Sequence, residues 1–144
     1  IAARATLSGA AGGCQAECGA AAAMGSGALA WLASGDPDRA FNAAALSLKN
    51  SLGLACDPVA GLVEVPCVKR NAFLAGNALV ALTLDSAGVR SAVPFDEVVS
   101  AMKAIGDMMS PQLKESAEGG LAMTPTGLRA KAAMEAGFPD ASRS

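Results

Sequence analysis

The four cysteines of this 144-residue chain are its most reactive side chains, and their positions limit the chemistry that it can perform. Cys14 follows the pair Gly12-Gly13 at the start of a predicted helix, and Cys18 lies one helical turn further along. Cys56 and Cys67 bracket a segment rich in proline and glycine, which could bring both of them to one point. Because a helix N-terminus favours a thiolate and histidine is absent, these residues suit a Cys₄ zinc site or an iron–sulfur cluster.

The same four cysteines can also be interpreted as small apolar residues of the core. Free cysteine is among the most buried residue types in proteins. The chain also has no CxxC pair of the kind found in zinc ribbons and ferredoxins. The spacing alone therefore favours the core interpretation, and for Cys18 it remains the favoured one.

The composition excludes several classes of function. The chain has no histidine, which excludes Ser-His and Cys-His nucleophilic sites, histidine-ligated zinc and histidine-ligated haem within it. Its formal net charge of −2 argues against nucleic-acid binding. Its apolar stretches are shorter than the ~20 residues that span a bilayer. With few cysteines and no visible signal peptide, the chain is predicted to be cytoplasmic with reduced thiols.

The elements that must position the cysteines are predicted to be helices. Alanine and leucine are frequent and alternating β-branched runs are almost absent, which favours a compact, alanine-rich, all-α bundle with an irregular Pro/Gly loop that carries cysteines. Asp36-Pro37-Asp38 has the sequence of a helix start. The predicted helices cover residues 14–32, 37 to about 53, 69–86, 94–109 and 128–136.

Other segments carry more specific expectations. Residues 54–66 are predicted to form a structured loop with a short extended piece at 62–65. Residues 69–86 are apolar almost all round, which predicts a buried central helix. A stripe of apolar residues is predicted to pack in the core rather than to bind a cofactor; it consists of Met102, Ile105, Met108 and Met109. The polar tail 140–144 is predicted to fray.

Two long blocks of sequence resemble a known family. They read SGAAGGCQAE at 8–17 and CDPVAGLVEVPCVKRN at 56–71, and a shorter GGLA stands at 119–122. Over most of residues 6–126 the chain resembles the α domain of bacterial iron–sulfur L-serine dehydratases. That resemblance implies an all-helical domain with a 4Fe-4S cluster on Cys14, Cys56 and Cys67, and it gives Cys18 no ligand role.

The resemblance also implies how the chain is organised. Family α domains extend well upstream of Ile1, so residues 1–144 are expected to be a single helical domain, the C-terminal half of an α chain. The start at Ile1 rather than at methionine agrees with a piece of a longer chain. The expected partners are L-serine, the remainder of the α chain and a β chain or domain in a homo- or hetero-oligomer, with no nucleic acid and no membrane.

The resemblance further implies a reaction. Three cysteines leave one iron of a four-iron cluster without a protein thiolate, and an open position is typical of catalytic metals. That iron is expected to act as a Lewis acid on the serine hydroxyl while a base removes the α-proton. Loss of water then gives aminoacrylate, which yields pyruvate and ammonia, and the resemblance implies no pyridoxal phosphate.

The base is not obvious from the sequence. Glu17, Asp57 and Lys69 are weak candidates, with Glu64 also nearby. Each has a structural alternative: an Asp before a proline often fixes a turn, Glu17 suits a solvated helix surface, and Lys69 could pair with nearby acids. The base is therefore expected to lie outside this chain.

A glycine-rich loop is a weak candidate for substrate binding. Its residues Ser8, Gly9, Gly12 and Gly13 precede a predicted helix, where backbone amides could hold the substrate carboxylate. The alternative to an enzyme is a non-catalytic helical interaction module that has structural zinc or free cysteines and docks on a partner chain. The absent base and the apolar residues around Phe73 favour that alternative.

Overall fold

The computed structural model describes residues 1–137, and it confirms the all-α prediction. The predicted frayed tail, 140–144, lies outside these residues. The α-helices are α1 (Gly9–Gly12), α2 (Ala20–Ser34), α3 (Pro37–Lys49), α4 (Cys67–Ser86), α5 (Phe95–Met108) and α6 (Pro125–Gly137). Tighter or wider helical turns cover Gln15–Gly19, Val59–Gly61, Pro111–Leu113 and Gly120–Met123. Within residues 1–137, β pairing is limited to one isolated bridge between Cys56 and Lys114.

Small side chains allow the helices to pack closely. α2 packs against α3 and α4, while α3 also packs against α4 and α5. At Gly27 of α2, an added Cβ would lie 3.2 Å from the carbonyl oxygen of Ala40, so these two helices approach each other backbone to backbone. The central cluster of buried residues consists of Ala16, Ala23, Ala44, Ala45, Leu48, Val98, Val99 and Met102.

The predicted start of α3 is confirmed, but its predicted end is wrong. Asp36 precedes the helix, and its side chain accepts a hydrogen bond of 2.9 Å from the backbone amide of Asp38. The helix ends at Lys49 rather than near Gly53. Asn50 ends it earlier, because its side-chain amide donates to the Leu46 carbonyl at 2.7 Å. Gly53, with φ +82°, belongs to the turn that follows.

The first predicted helix is continuous but begins with a different geometry. Gln15–Gly19 is π-helical, since the amide of Ala20 donates to the carbonyl of Gln15, five residues earlier. The helix ends at Ser34, where Gly35 takes the left-handed conformation (φ +65°) expected of a C-terminal glycine. Cys14 and Cys18 therefore lie on a wide turn and not on a regular α-helix.

The prediction that residues 69–86 form a buried central helix is wrong for the described chain. Phe73 is 82% exposed, and Leu79 and Val80 are each more than half exposed, whereas the buried face carries Ala78 and Ala81. The helix is apolar on both sides, but the described residues cover one side only. The prediction that the stripe containing Met102 and Met108 packs in the core is also partly wrong, because Met108 is exposed while Met102 is buried.

The remaining elements differ from the predictions in detail. Residues 54–66 form an irregular loop, as predicted, but residues 63–66 form a turn instead of the expected extended piece. α6 begins at Pro125, about one turn before the predicted start, because proline is favoured in a first helical turn. Within residues 1–137, none of the helices combines the length and the apolar character needed to cross a membrane.

Candidate functional site

All four cysteines line one cavity of about 280 Å³. They reach it from three separate segments: Cys14 and Cys18 from the π-helical turn, Cys56 from the irregular loop, and Cys67 as the first residue of α4. Cys14, Cys18 and Cys56 are buried and Cys67 is half-buried, all as free thiols. The structure thus brings together residues that are up to 53 positions apart in the sequence (67 − 14).

The cavity disfavours negative charge on its thiols. Burial, with a smaller contribution from nearby Cys14, raises the pKa of Cys18 and that of Cys56 to about 12 each. Burial also raises the pKa of Cys67, with a further contribution from Cys14. These three thiols are protonated at neutral pH in the ligand-free chain, so a metal group that binds them has to displace protons.

A buried amide fixes the segment that carries Cys14. The Gln15 side chain is fully buried; its Nε2 donates to the carbonyls of Gly12 (3.0 Å) and Met102 (2.9 Å). Its Oε1 accepts from the amide of Gly53 at 2.9 Å. One side chain therefore joins the π-helical turn, α5 and the turn that leads into the Cys56 loop.

Backbone hydrogen bonds on both sides fix Cys56. Its amide donates to the Leu113 carbonyl at 2.8 Å, and its carbonyl accepts from the amide of Glu115 at 2.9 Å. Arg70 of α4 donates to the neighbouring Ala55 carbonyl at 2.7 Å. The Cys56 sulfur is therefore held by α4 on one side and by residues 113–115 on the other.

Asp57, a predicted candidate base, instead helps to hold the loop that carries Cys56. Its buried carboxylate pairs with Arg70 at 3.2 Å and accepts from the Leu121 amide at 2.9 Å. It packs directly against Gly120, whose φ of +56° and lack of a side chain leave room for it. Burial lowers the Arg70 pKa, but Cys14 and Asp57 raise it more, so the guanidinium stays charged. Asp57 does not line the cysteine cavity.

Two other carboxylates do reach the cavity. Glu17, one of the predicted candidates, lines it together with Glu115. A Cβ added at Gly9 would lie 2.8 Å from Glu17 Oε2, 3.5 Å from the Cys56 sulfur and 3.7 Å from Glu115 Oε2. These three groups therefore converge over the backbone of Gly9, which has no side chain to separate them.

The sequence reasoning missed Glu115 as a site residue. Glu115 lies in a segment without helical periodicity and has a left-handed backbone (φ +64°), which no pattern in the sequence indicated. Asn71 also lines the cavity. The sequence could have indicated Asn71, because it is the last residue of the motif block that begins at Cys56.

The other predicted candidates do not line the cysteine cavity, although Gly9 lies near the Cys56 sulfur; they are Ser8, Gly9, Gly12, Gly13 and Lys69. Lys69 is exposed, and its ammonium donates to the Glu64 carbonyl at 3.5 Å. The amides of Gly12 and Gly13 donate to the carbonyls of Ser8 (2.9 Å) and Gly9 (2.8 Å), where they close α1. The expectation that these two amides hold a carboxylate is therefore not supported, since both already have partners.

The donor set differs from that of a single-ion site. Within residues 1–137, no group of three or more His, Cys, Asp and Glu side chains is close enough to hold one metal ion. Zinc bound by thiolates requires Zn–S distances of about 2.3 Å, so its sulfurs lie close together. Among the described residues, no three of the thiols around the cavity of about 280 Å³ form such a close group.

Comparison with known proteins gives one consistent result. The family model described as "Serine dehydratase alpha chain" matches residues 1–122. The chain is 55% identical over 127 residues to the "Probable L-serine dehydratase, alpha chain" of Bacillus subtilis, covering 88% of this chain and 42% of that protein. It is 52% identical to the protein of that name from Latilactobacillus sakei, covering 88% of this chain and 61% of that protein.

A third relative is longer. The "L-serine dehydratase" of Mycobacterium tuberculosis is 46% identical over 122 residues, which cover 83% of this chain and 26% of that protein. The chain thus spans between about a quarter and three fifths of the length of these relatives.

Proposed function

Because the chain belongs to the serine dehydratase alpha-chain family, we propose that it is the part of an L-serine dehydratase that binds a 4Fe-4S cluster. Cys14, Cys56 and Cys67 are its proposed ligands. The observation that carries this proposal is that thiols from three separate segments line one cavity. We propose that residues 1–144 form a single helical domain, which acts with the remainder of an alpha chain and with a β chain or domain.

The donor chemistry of the cavity fits such a cluster. Thiolates are the usual protein ligands of iron–sulfur clusters, and sulfur is the donor that all three segments contribute. The alternative of structural zinc has less support, since no three candidate ligands in the described residues are close enough for a single ion. Cys18 lies 3.4 Å from Cys14, sulfur to sulfur, and is not needed as a ligand.

The proposed reaction is the loss of water from L-serine, which gives aminoacrylate and then pyruvate and ammonia. When bound through three thiolates, the cluster would supply an iron without a protein ligand, which is suited to Lewis-acid chemistry on a hydroxyl. The residues of this chain would enclose the substrate and move its α-proton. Pro58, Val63 and Val68 contribute apolar surface to the cavity wall.

Glu17 is the proposed base on this chain. It lines the cavity beside Cys56, whereas Asp57 is occupied by Arg70 and neither Asp57 nor Lys69 lines the cavity. A carboxylate on the wall can accept the α-proton once the substrate carbon lies within hydrogen-bond reach. In the complete enzyme, Glu17→Gln should lower kcat by at least about 100-fold, while Glu115→Gln tests the neighbouring carboxylate. If Glu17→Gln keeps full activity, the base lies outside this chain.

Anaerobic reconstitution with iron and sulfide tests the cluster. The wild-type chain should bind about four irons and acquire broad absorption in the blue. Cys56→Ala should bind fewer than half as many, and Cys18→Ala, a matched loss of one buried thiol, should bind as many as the wild type. Uptake of fewer than about two irons by wild type and Cys56→Ala alike would contradict the proposal.

One observation favours a second function, that of an interaction module. The outer face of α4 exposes Phe73, Leu79 and Val80, which is unusual for apolar residues on one helix. Metal analysis of protein purified without oxygen separates the two functions. One zinc per chain with no acid-labile sulfide would favour the module.

A further inference from the structure

Cys14 and Cys18 form a close pair of thiols that the proposed cluster does not explain. Their sulfurs are 3.4 Å apart, within hydrogen-bond distance, and both side chains are almost fully buried. A disulfide requires a sulfur–sulfur distance of about 2.05 Å, so the pair must close by roughly 1.4 Å. Rotation about the side-chain torsions can supply most of a change of this size.

The backbone between the two cysteines favours this closure. Disulfides join residues whose Cα atoms are about 4.4–6.8 Å apart, and residues four apart in an α-helix are already about 6 Å apart. Gln15–Gly19 is π-helical. A π-turn has more residues per turn than an α-turn and therefore a smaller rise per residue, which brings the two cysteines closer along the axis.

Small molecules can reach the pair. Both cysteines line the cavity of about 280 Å³. Cys18 also borders a neighbouring apolar cavity of about 320 Å³, lined among others by Leu29 and Leu74. Hydrogen peroxide is little larger than water, so a cavity of either size accommodates it.

We propose that Cys14 and Cys18 are a redox modification site, at which hydrogen peroxide forms a reversible disulfide in the metal-free chain. The Cys14 sulfur attacks a peroxide oxygen; the O–O bond breaks, the Cys14 thiol proton passes to the departing oxygen, and a sulfenic acid and one water form. The Cys18 sulfur then attacks the sulfenic sulfur, the S–O bond breaks, and the oxygen takes the Cys18 thiol proton and leaves as a second water. Two thiols lose two electrons and two protons, and one peroxide is reduced to two waters.

The disulfide has a consequence that rests on the proposed function. It would occupy Cys14, one of the three proposed cluster ligands, and so prevent cluster assembly until a dithiol reduces it. It would also stop Cys14 from advancing to irreversible sulfinic and sulfonic acids. Cys18 would then serve as a resolving cysteine that keeps an oxidised chain recoverable.

Peptide mass analysis of the full chain tests the modification directly. Trypsin cleaves after Arg4, Arg39, Lys49 and Lys69, so Cys14 and Cys18 fall in the peptide 5–39, while Cys56 and Cys67 fall in 50–69. The metal-free chain is treated with peroxide, unfolded, alkylated and digested. Peptide 5–39 should be recovered unalkylated and lighter by two hydrogen atoms, and dithiothreitol should restore both alkylation sites.

Variants separate this pair from other cysteine pairings. Cys67→Ala should form the same internal disulfide as the wild type, whereas Cys18→Ala should lose it and instead accumulate sulfinic acid on Cys14. A cross-link between peptides 5–39 and 50–69 as the main product, or a peptide 5–39 that stays fully alkylated, would overturn the proposal.

Iron uptake is measured separately, so that the two proposals can fail independently. Peroxide-treated wild type should take up less than about a fifth of the iron bound by the reduced chain, with recovery after dithiothreitol. If the disulfide forms but the reduced chain binds no iron, the cluster proposal fails and the modification site stands. If the reduced chain binds iron and the disulfide does not form, the modification site fails and the cluster proposal stands.

Discussion

The helical core and the cysteine site of this protein are held together by different interactions. The core is a layer of small and branched apolar side chains from α2, α3 and α5, with Leu48 and Met102 as its largest fully buried members. The cysteine site is built on turns, with left-handed backbone at Gly13, Glu115 and Gly120. Turns of this kind have no regular apolar face, so burial alone cannot fix their shape.

Buried polar side chains fix the shape of the turns at the cysteine site. Gln15 joins three backbone segments, and the pair of Asp57 with Arg70 joins the Cys56 loop to α4 and to the turn at Gly120. An apolar contact has no direction, whereas a hydrogen bond fixes both distance and angle. Changes at the core should therefore reduce stability and leave the site intact, while polar changes at the site should disrupt iron binding as well.

The largest effect is expected from Gln15→Leu. Leucine has a similar volume but leaves the Gly12 carbonyl and the Gly53 amide without their side-chain partner, and it removes a bond to the Met102 carbonyl inside α5. Unpaired buried polar groups cost ~1–3 kcal/mol each, so the free energy of unfolding should fall by about 4 kcal/mol. Urea unfolding followed by circular dichroism measures it. Iron uptake per folded chain should also fall by more than half; full uptake would show that this amide does not position Cys14.

Leu48→Ala should destabilise the protein nearly as much as Gln15→Leu does, but it should not change iron uptake. Leu48 is completely buried within the core cluster and does not line the cysteine cavity. Its truncation leaves a cavity and should lower the free energy of unfolding by ~3 kcal/mol. At a temperature where the variant is folded, iron uptake should equal that of the wild type. Reduced uptake in this folded variant would mean that core and site are not separable.

Asp57→Asn should have an intermediate effect on stability and a large effect on the site. It leaves the Arg70 charge unpaired; because both side chains retain slight exposure, the cost should be about 2 kcal/mol rather than the larger value for a fully buried pair. Iron uptake should fall by more than half, as the Cys56 loop loses its ion pair with Arg70 of α4. Thermal unfolding and iron analysis measure the two effects.

Asp85→Asn is the matched control for that substitution. Among the described residues, Asp85 is the other buried aspartate in an ion pair, bonded to Arg39 at 2.8 Å and to the Asn42 amide at 2.9 Å, between α3 and α4. Its loss should cost a similar free energy without any change in iron uptake. Equal losses of iron in both variants would indicate a general response to destabilisation instead of a specific role for Asp57.

The sequence predicted the regular parts of the fold because their signals are local. Asp36-Pro37 marks the start of α3 through a side-chain cap within three residues. Pro94 marks the start of α5 without such a cap, through the backbone restriction of proline. The end of α3 was missed because two signals compete there: Gly53 has the residue type of a C-terminal cap, but the Asn50 side chain closes the helix first.

The site was only partly predictable. The motif blocks drew attention to the cysteines, and the structure brings all four to one cavity. The sequence could not indicate that Asp57 would be occupied by Arg70, or that Glu115 would reach Gly9, because both depend on contacts between distant segments. The exposed face of α4 was missed for another reason: periodicity shows that a helix is apolar on all sides but not which parts of the chain cover it.

The smallest effect on this chain is expected from Phe73→Ser on that exposed face. Phe73 is 82% exposed, so the free energy of unfolding should change by less than ~0.5 kcal/mol, and iron uptake should not change. Leu74→Ser, the adjacent position, is the contrast: Leu74 packs against the cluster of Cys14, Cys18 and Cys56, and its substitution should reduce both stability and iron uptake. Unfolding curves and iron analysis of the two variants measure the difference. A loss of iron from Phe73→Ser equal to that from Leu74→Ser would mean that the outer face of α4 also shapes the site, and the separation between the two faces would not hold.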